Sequence, residues 1–366
     1  MKRKIFWGML LLMVSVILVL FSFCTKKSTR YEPAKGYYLY ASDIGDPPEQ
    51  RKIYVFSTLT DSLVDSISLG SDLYATALGL SPDRRTLYAR CERILSDTSR
   101  EYLGCEIDTR TKRLKYIGPN SFPIISPDGK YLFGKTKSGF AIFDAYTHQV
   151  VYQDTVSFLP FCFNKKDHLA YGIRLEGKEM DKIMVFDYEL MRWVRSFTIR
   201  LWGGGIPGIG PLVISTDGNT LYLLVRAPNY LDYFCVYDLT RDSVLVQIGI
   251  NYIGYLAIKP DGSTVYITDP GGGGGCIAWE PEPTGVVGVF DTRTNTPLPS
   301  ISLDPLADSL ISPPIAAYHI RITPDGKKAY LSSCGRTILV IDLVRNEALK
   351  AIIGPKRDLM FYFIAL

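Results

Sequence analysis

A nine-residue turn motif, Ile322–Tyr330, constrains the fold of this chain more than any other feature, because copies of it recur along the sequence. It reads Ile-Thr-Pro-Asp-Gly-Lys-Lys-Ala-Tyr. Pro fixes φ at the second turn position, Asp can hydrogen-bond its own backbone, and Gly accepts a positive φ. Because apolar residues flank each copy, the motif predicts a β-hairpin with a tight turn. Close copies lie at Leu80–Tyr88, Ile125–Phe133 and Ile258–Tyr266, and weaker ones at Phe163–Tyr171 and Ile214–Tyr222.

Each copy opens a unit of four short strands. The motif supplies the first two strands, a variable loop follows, and a third strand ends in Asp before a tight turn leads to a fourth, such as Val244–Ile248 or Ala348–Ile352. Four antiparallel strands repeated at this spacing are typical of a propeller blade. The third strands end at Glu106–Asp108, Ile142–Asp144, Val185–Asp187, Val236–Asp238, Val289–Asp291 and Val340–Asp342. The units fall near 71–120, 121–156, 157–202, 203–250, 251–308 and 309–357.

The two ends of the chain complete a seventh unit. Three predicted strands, Tyr37–Ser42, Lys52–Phe56 and Leu63–Ser68, have no first strand before them, while Asp358–Leu366 is a first strand with no turn after it. Pairing the C-terminal strand with the N-terminal blade would close the ring and remove open sheet edges. The sequence therefore predicts an all-β, seven-bladed β-propeller over 37–366.

This repeat pattern resembles a known family. Repeated Ser-Pro-Asp-Gly turns, an apolar–aromatic pair and a strand ending in Asp are similar to the YVTN-type (YncE-like) seven-bladed propellers of exported bacterial proteins, although Ser57 replaces the Asp of the N-terminal blade. The resemblance implies an exported propeller. It implies no single activity, because this superfold hosts lactonases, amine dehydrogenase subunits, binding proteins and scaffolds.

The N-terminus carries the pattern of an export signal. Basic residues at Met1–Lys4 precede a largely apolar run, Ile5–Leu20, which leads to Cys24. The pattern resembles a bacterial lipoprotein signal, in which Cys24 would be lipidated and become the mature N-terminus. Phe23 stands before it where a small residue is usual. An uncleaved anchor, for which about 20 apolar residues suffice, and an ordinary cleaved signal therefore stay open.

All three alternatives predict the same placement of the folded domain. Residues 1–24 would be the signal or anchor, and 25–36 a polar tether. The expected location is the bacterial cell envelope, on the periplasmic or extracellular side, with attachment to the membrane through the N-terminus.

Composition argues against several classes of function. The net charge is +4 and the basic residues are dispersed among acidic ones, so no nucleic-acid partner is expected. Three His lie far apart, which predicts no metal site. The sequence has no Cys-x-x-Cys-His, Gly-x-Ser-x-Gly or His-Glu-x-x-His motif, and no cofactor is expected. We interpret the six strand-ending Asp residues as turn chemistry, not as a catalytic or calcium-binding array.

The irregular loops lie on the face opposite the Pro-Asp-Gly turns, and binding residues are often found on such loops. They include Ser42–Arg51, Glu92–Glu101, Arg174–Lys182, Arg226–Tyr233 and Asp269–Gly285. Large or charged side chains there make Trp202, Trp279, Glu280 and Glu282 candidate ligand-binding residues.

His319 and Arg321 are the sharpest outliers among the first strands. Two residues before the Ser or Thr of the motif, or its equivalent, the other blades have Gly79, Ile124, Cys162, Val213, Ala257 and Ala365, whereas the last blade has Arg321. Four residues before it they have Ala77, Phe122, Pro160, Pro211, Tyr255 and Phe363, whereas the last blade has His319. The pair shares one strand face and could bind an anionic or carbonyl-bearing ligand at the channel mouth. Alternatively, backbone carbonyls, Glu280 or Glu282 hold it as a structural pair, since buried polar groups need partners.

A disulfide between Cys91 and Cys105 is also plausible in an oxidising compartment. A hairpin centred on Asp97–Ser99 would set the two residues opposite each other. Other cysteines, Cys162 in particular, read as core residues.

Two functions follow from these features. The first is a non-enzymatic, envelope-anchored propeller that binds a protein or small ligand on its irregular face. The alternative is an enzyme or enzyme subunit that uses the channel mouth, either a lactonase-like hydrolase or an amine dehydrogenase-type chain. The missing catalytic constellations favour the first.

Overall fold

The computed structural model describes most of the chain from Gly36 onward, and Tyr37–Leu366 form one compact unit. Residues 1–35, with the predicted signal, Cys24 and most of the tether, lie outside the described part. The described ranges are 36–43, 51–70, 72–96, 99–118, 121–136, 139–174, 182–202, 208–227, 231–250, 254–268, 285–306, 315–333, 337–355 and 361–366.

The strands form seven four-stranded antiparallel sheets, the blades. Blade one contains β1 (Tyr38–Asp43), β2 (Ile53–Ser57) and β3 (Ser62–Ile67); blade two, β4 (Leu73–Leu80), β5 (Thr86–Ser96), β6 (Ser99–Asp108) and β7 (Arg113–Gly118); blade three, β8 (Ser121–Ile125), β9 (Tyr131–Thr136), β10 (Gly139–Asp144) and β11 (Val150–Asp154). Blade four contains β12 (Phe158–Asn164), β13 (Leu169–Arg174), β14 (Lys182–Asp187) and β15 (Arg192–Thr198); blade five, β16 (Gly208–Ile214), β17 (Thr220–Arg226), β18 (Asp232–Asp238) and β19 (Ser243–Ile250). Blade six contains β20 (Leu256–Ile258), β21 (Thr264–Thr268), β22 (Val286–Asp291) and β23 (Thr296–Ser302), followed by a 3₁₀ helix (Asp304–Leu306); blade seven, β24 (Ile320–Ile322), β25 (Lys328–Ser332), β26 (Thr337–Asp342) and β27 (Glu347–Ile353), followed by β28 (Phe361–Ala365).

The first strand of each blade lies innermost and touches the first strand of a neighbouring blade. Contacts join β4 to β8, β12 to β16, β16 to β20, β20 to β24, β24 to β28 and β28 to β4. The seventh junction is a shared core cluster that joins Phe140 of blade three to Phe186 of blade four, so the seven sheets form a closed ring around a central axis. The prediction of an all-β, seven-bladed β-propeller is confirmed.

The C-terminal strand closes the ring, as the sequence predicted. β28 is the first strand of the sheet that contains β1, β2 and β3, with Tyr40 paired to Ala365 and Ala41 to Ile364. The adjoining core joins this blade to blade seven, because Leu39 and Phe56 pack in one buried cluster with Tyr330 and other residues of that blade. Burial of this kind removes apolar surface from water and stabilises the seam.

The hydrophobic core is distributed between successive blades. One cluster combines Ile183 and Val185 of blade four with Leu221 and Leu223 of blade five. Clusters between blades six and seven and between blades one and two are built in the same way. Each sheet therefore packs against its two neighbours. Because both faces of a strand are then buried, its sequence does not alternate clearly between apolar and polar residues.

The repeated turn has the chemistry that its sequence predicts. The Thr323 hydroxyl donates to Asp325 Oδ1 over 2.6 Å, and Lys327 N donates to the same oxygen over 3.1 Å. Gly326 has φ 67°. Blade two has Arg84 at the glycine position, and it adopts the same left-handed conformation with φ 61°.

The turns between first and second strands also contact one another. We call the set of these turns in blades two to seven the turn ring. A Cβ on Gly129 would lie 3.5 Å from Pro82 Cδ of the preceding turn, and one on Gly262 only 2.7 Å from Thr216 Oγ1. Gly326 stands in the same relation to Pro260, and Gly218 to Asn164. In blade two, the Arg84 guanidinium lies 4.3 Å from the centre of the Tyr37 ring. Positive φ thus favours glycine at all four positions, and at Gly218 and Gly262 the close approach of the preceding turn favours it further.

The strand-ending Asp residues cap the turns between third and fourth strands. Asp342 Oδ1 accepts N–H groups from Val344 and Arg345 at 2.8 and 3.0 Å. The other five Asp residues accept backbone N–H groups from the same two relative positions. In blade one, Ser57 Oγ accepts Leu59 N at 3.3 Å, so the serine replaces the carboxylate in the same role.

The β5–β6 hairpin differs from the prediction. The sequence treated Glu92–Glu101 as an irregular loop, but β5 and β6 remain paired through this stretch as far as Ser96 and Ser99. Cross-strand ion pairs accompany the extension: Arg93 lies 3.2 Å from Glu101, and Arg100 lies 3.2 Å from Glu92. Opposite charges on facing strands stabilise such pairing, and the propensity-based prediction did not count them.

The register of this hairpin also corrects the predicted position of the two cysteines. Cys91 pairs with Leu103 and Cys105 with Ala89, so the cysteines are diagonal and not opposite. The hairpin closes one residue earlier than predicted, with a register shift between Ile94 and Ser96. Both residues are buried free thiols in the structure, and burial raises the pKa of Cys91.

Candidate ligand-binding site

The segments that lead into blades six and seven bring Tyr255, His319 and Arg321 together on the innermost strands. β20 and β24 are only three residues long, and hydroxyl groups extend their hydrogen bonding. Thr268 Oγ1 accepts Tyr255 N at 2.8 Å and donates to the carbonyl of Tyr318 at 2.7 Å, so one hydroxyl joins both segments. Ser332 Oγ accepts His319 N at 3.2 Å. These bonds fix the backbone on which the candidate side chains stand.

Arg321 opens towards the axis of the ring. It lies between Ile320 and Ile322 on an innermost strand, where Ile320 is fully buried, yet its own side chain is exposed to solvent. An exposed side chain on an innermost strand lies beside the axis of the ring. Its Nη1 donates to the carbonyl of Ile320 over 2.9 Å. Among the described residues, no carboxylate forms an ion pair with this guanidinium.

The surroundings of Arg321 are poorly solvating despite this exposure. Burial by the surrounding blades lowers the pKa of Arg321, and the nearby Tyr255 phenol acts in the opposite direction. A narrow channel accounts for both facts, because water reaches the side chain but the full hydration of a surface cation is lost. The guanidinium stays protonated, since arginine is charged in proteins at any ordinary pH.

His319 packs against Tyr255 of the neighbouring blade. The two ring centres are 3.8 Å apart with an interplanar angle of 34°, and His319 is only 6% exposed. Burial lowers the pKa of His319 to about 3, and the positive charge of Arg321 adds to this effect. The imidazole is therefore neutral at physiological pH, and Arg321 is the charged member of the group.

The depressed pKa of His319 predicts a specific pH dependence of stability. The unfolded chain binds a proton on this imidazole near its ordinary pKa of about 6.5, whereas the native protein does so only near 3. The contribution of His319 to stability is therefore full above about pH 6.5 and falls by up to about 1.4 kcal/mol for each pH unit between about 6.5 and 3. We expect His319→Phe, which introduces the residue found at this position in blades one and three, to flatten the acid limb of the urea-unfolding profile.

The matched control for this measurement is His168→Gln. His168 is half-exposed in the turn of blade four and is not part of the group around His319, so its removal should not flatten the acid limb. An acid limb unchanged by His319→Phe would contradict the assigned environment.

The remaining sequence candidates do not join this group within the described residues. Trp202 is 58% exposed, and its backbone N–H donates to Gln247 Oε1 over 2.7 Å. Gln247 belongs to β19, the outermost strand of blade five, so Trp202 is fixed at the rim of the ring and not at its axis. Trp279, Glu280 and Glu282 lie outside the described residues.

Tyr255 is the site residue that sequence reasoning missed. It entered the comparison of first strands only as an unremarkable sibling of His319. The available signal was positional: Tyr255 and His319 occupy the same place in adjacent blades, and first strands of adjacent blades touch. Residues at one repeat position can therefore be expected to meet across neighbouring repeats.

The fold and this group define the class of the protein as a seven-bladed β-propeller that carries a cationic side chain, Arg321, on an inner strand. No family model matches the chain, and a search of curated proteins finds no match. Among solved structures, the chain is similar in fold to Kuenenia stuttgartiensis hydrazine synthase, with a TM-score of 0.57 and 20% identity over 74% of this chain and 76% of that chain. In the described part, no helix is long and apolar enough to cross a membrane.

Proposed function

We propose that this protein is an envelope-anchored binding module that holds an organic anion against Arg321 in the axial channel. The anion is a small molecule or an acidic group of a protein partner. The observation that carries the proposal is the position of Arg321, a cation on an innermost strand where the other six blades have small or apolar residues.

The cost of placing a charge there supports a ligand. A guanidinium that loses hydration without gaining an anionic partner destabilises the folded protein. The hydrogen bond to the Ile320 carbonyl satisfies one of its five N–H donors. A carboxylate or phosphate could accept two parallel N–H groups of the guanidinium and compensate its charge.

The neighbouring residues fit the same ligand. His319 is neutral, so it adds no second charge that would have to be compensated. The Tyr255 ring packs against His319 and lies near Arg321. Together the two neutral aromatic rings accompany a single charge, which suits a monoanion held among apolar blades.

The anchored part of the proposal rests on the N-terminal sequence. Basic residues, the apolar run to Leu20 and Cys24 support export and attachment to the membrane. A tether of 25–36 would leave the propeller on the outer side of that membrane.

The enzymatic alternative finds less support in this group. A hydrolase at the channel mouth needs a general base whose pKa lies near the working pH. His319 titrates near 3, and Arg321 cannot serve as a base. Binding without turnover is therefore the function that the described residues support best.

The test separates a binding role for Arg321 from a structural one. Small carboxylates and phosphate esters are titrated calorimetrically against the full chain, the Arg321→Met variant and the Arg321→Lys variant. We expect Arg321→Met to lose at least about tenfold in affinity, because a charge-assisted hydrogen bond contributes about 1.5–3 kcal/mol. Arg321→Lys should retain part of the affinity, since it keeps the charge but not the planar fork.

The melting temperature of the ligand-free variants supplies the second readout. If Arg321 serves a ligand, Arg321→Met should be at least as stable as the wild type, since an uncompensated charge has been removed. If Arg321 is a structural partner, Arg321→Met should be less stable. Arg293→Ala, which removes an exposed surface arginine, is the matched control. Unaltered affinity in Arg321→Met, or clear destabilisation by it, would overturn the proposal.

A further inference from the structure

We infer that the face formed by the turn ring carries a second binding site, for an amphipathic organic anion, in the cleft between the turns of blades four and five. The cleft has a volume of about 570 Å³ and lies at the ends of β12 and β16. Phe163 and Ile214 provide apolar walls, and Lys165 and Lys166 provide the charge. The site is separate from Arg321, because the cleft lies between blades four and five whereas Arg321 is on β24 of blade seven.

The cleft opens where the turn ring departs from Pro-Asp-Gly chemistry. In blade four, Lys165 stands at the Pro position, Lys166 at the Asp position and Asp167 at the Gly position. In blade five, Thr216 stands at the Pro position. These are the two weak copies of the motif, they are adjacent in the ring, and both line the same cleft. This coincidence links the sequence departures to the cleft, because unrelated departures could have occurred in any two blades.

The substitution also reverses the local charge. At the position of Lys166, the other turns of the ring have a carboxylate, as in Asp128 and Asp325. Those carboxylates accept hydrogen bonds within their own turns, as Asp325 does from Thr323. Asn164 takes over this role in blade four, because its Oδ1 accepts Lys166 N at 3.0 Å. The turn is therefore held by Asn164 together with Asp167, and its two lysines outnumber its one carboxylate.

Both ammonium groups are available to a ligand. Within the described residues, neither Lys165 nor Lys166 forms an ion pair, and both side chains are exposed. The carboxylates beside them are engaged: Asp167 accepts Asn164 Nδ2 at 2.7 Å, and Asp217 accepts hydrogen bonds in the turn of blade five.

Two other lysines of this face are paired with carboxylates. Lys130 lies 3.7 Å from Asp128, and Lys328 lies 2.7 Å from Asp61. Among the described turns of this ring, the turn of blade four has two adjacent lysines without an ion pair, and they lie beside an apolar surface.

The ligand chemistry follows from this combination. Lysine binds carboxylate and phosphate groups as a point charge, without the planar specificity of arginine. Apolar walls add affinity for an aromatic or alkyl body, since buried apolar area stabilises binding. An inorganic anion would use only the lysines. A carboxylate or phosphate ester with an apolar body would use both parts of the cleft.

The experiment uses phenyl phosphate and inorganic phosphate as probes, with the full chain carrying Arg321→Met so that the axial site does not contribute. Saturable binding of phenyl phosphate, tighter than that of inorganic phosphate, is expected by calorimetry. The variant Lys165→Ala/Lys166→Ala should weaken phenyl phosphate binding at least about tenfold, as expected for loss of two attractive charges. Raising the salt concentration should weaken binding further by screening.

The matched control is Lys130→Ala/Lys327→Ala, which removes two lysines from the turns of blades three and seven on the same face. Binding unchanged in the control and lost in the Lys165/Lys166 variant supports the site. Equal loss in both variants would mean attraction by the whole face, and unchanged binding in both would mean no role for the cleft. Equal affinity for phenyl phosphate and inorganic phosphate would mean that the apolar walls do not contribute to binding. Each of these three results would overturn the inference.

Discussion

Removal of Phe361–Leu366 is expected to abolish the cooperative unfolding transition of the propeller. β28 is the innermost strand of blade one, and its loss would leave β1 as an unpaired inner edge facing the axis. It also contacts β4, β24 and β25, so its loss weakens both neighbouring blades. Because the total stability of a domain is only about 5–15 kcal/mol, the loss of one central strand exceeds what the fold can tolerate. Thermal unfolding followed by circular dichroism and calorimetry measures the effect.

A circular permutant provides the control for this deletion. Joining Leu366 to Tyr37 through a Ser-Pro-Asp-Gly turn would restore in blade one the hairpin that the other blades have. Gly36 already stands at the position of the turn glycine. Tyr40 pairs with β28 in the way that Tyr330 pairs with β24, and Gly36 precedes Tyr40 by four residues, as Gly326 precedes Tyr330. The permutant, opened in a surface loop, should melt at least as high as the wild type. A truncated chain that melts cooperatively at an unchanged temperature would contradict the assigned role of β28.

Asp61→Asn is expected to lower the free energy of unfolding by about 2–3 kcal/mol. The Asp61 carboxylate is 8% exposed, accepts Lys328 Nζ at 2.7 Å and accepts the hydroxyl of the fully buried Tyr330. These contacts join blade one to blade seven beside the closure. The amide keeps the shape but leaves the partly buried ammonium of Lys328 without its counter-charge, which is costly. Urea unfolding at neutral pH measures the change.

Two further variants test the cause of this loss. Adding Lys328→Met to Asp61→Asn removes the uncompensated ammonium and should recover part of the stability, which a double-mutant cycle would show as coupling. Tyr266→Phe removes a neutral hydrogen bond, 2.8 Å from the Tyr266 hydroxyl to Asn346, at the seam of blades six and seven. It should cost only about 1 kcal/mol. A cost as large as that of Asp61→Asn would show that charge is not the reason for the greater effect.

The sequence predicted the repeat architecture because each blade needs the same local chemistry. The Pro-Asp-Gly turn and the strand-ending Asp are hydrogen-bonded within a few residues, so their pattern survives in the sequence of every copy. Ring closure could also be predicted, since no turn follows the strand Phe361–Ala365 and the N-terminal blade has only three strands of its own. The β5–β6 extension could not, because it depends on cross-strand pairs such as Arg93 with Glu101 that a propensity argument ignores.

The candidate sites were less accessible to sequence reasoning. His319 and Arg321 emerged because they differ from their siblings at one strand position. Tyr255 did not, since its importance comes from contact across two blades and not from its own sequence. The lysine cleft was obscured for a different reason: the weak copy at Phe163–Tyr171 looked like a decayed turn. Only the geometry showed that Lys165 and Lys166 line one cavity with the next weak copy.

The stacking within the turn ring has a consequence for recombination and design. The space that Gly262 needs is set by Thr216 of the preceding blade, and the space that Gly218 needs is set by Asn164. A chimera that exchanged one whole blade would therefore separate residues that have to be chosen together. The smallest exchangeable unit should therefore have its boundaries inside blades. Each turn is then exchanged together with the glycine of the next blade that contacts it. Substitutions at the two positions of such a pair should co-vary, although the two positions belong to different repeats.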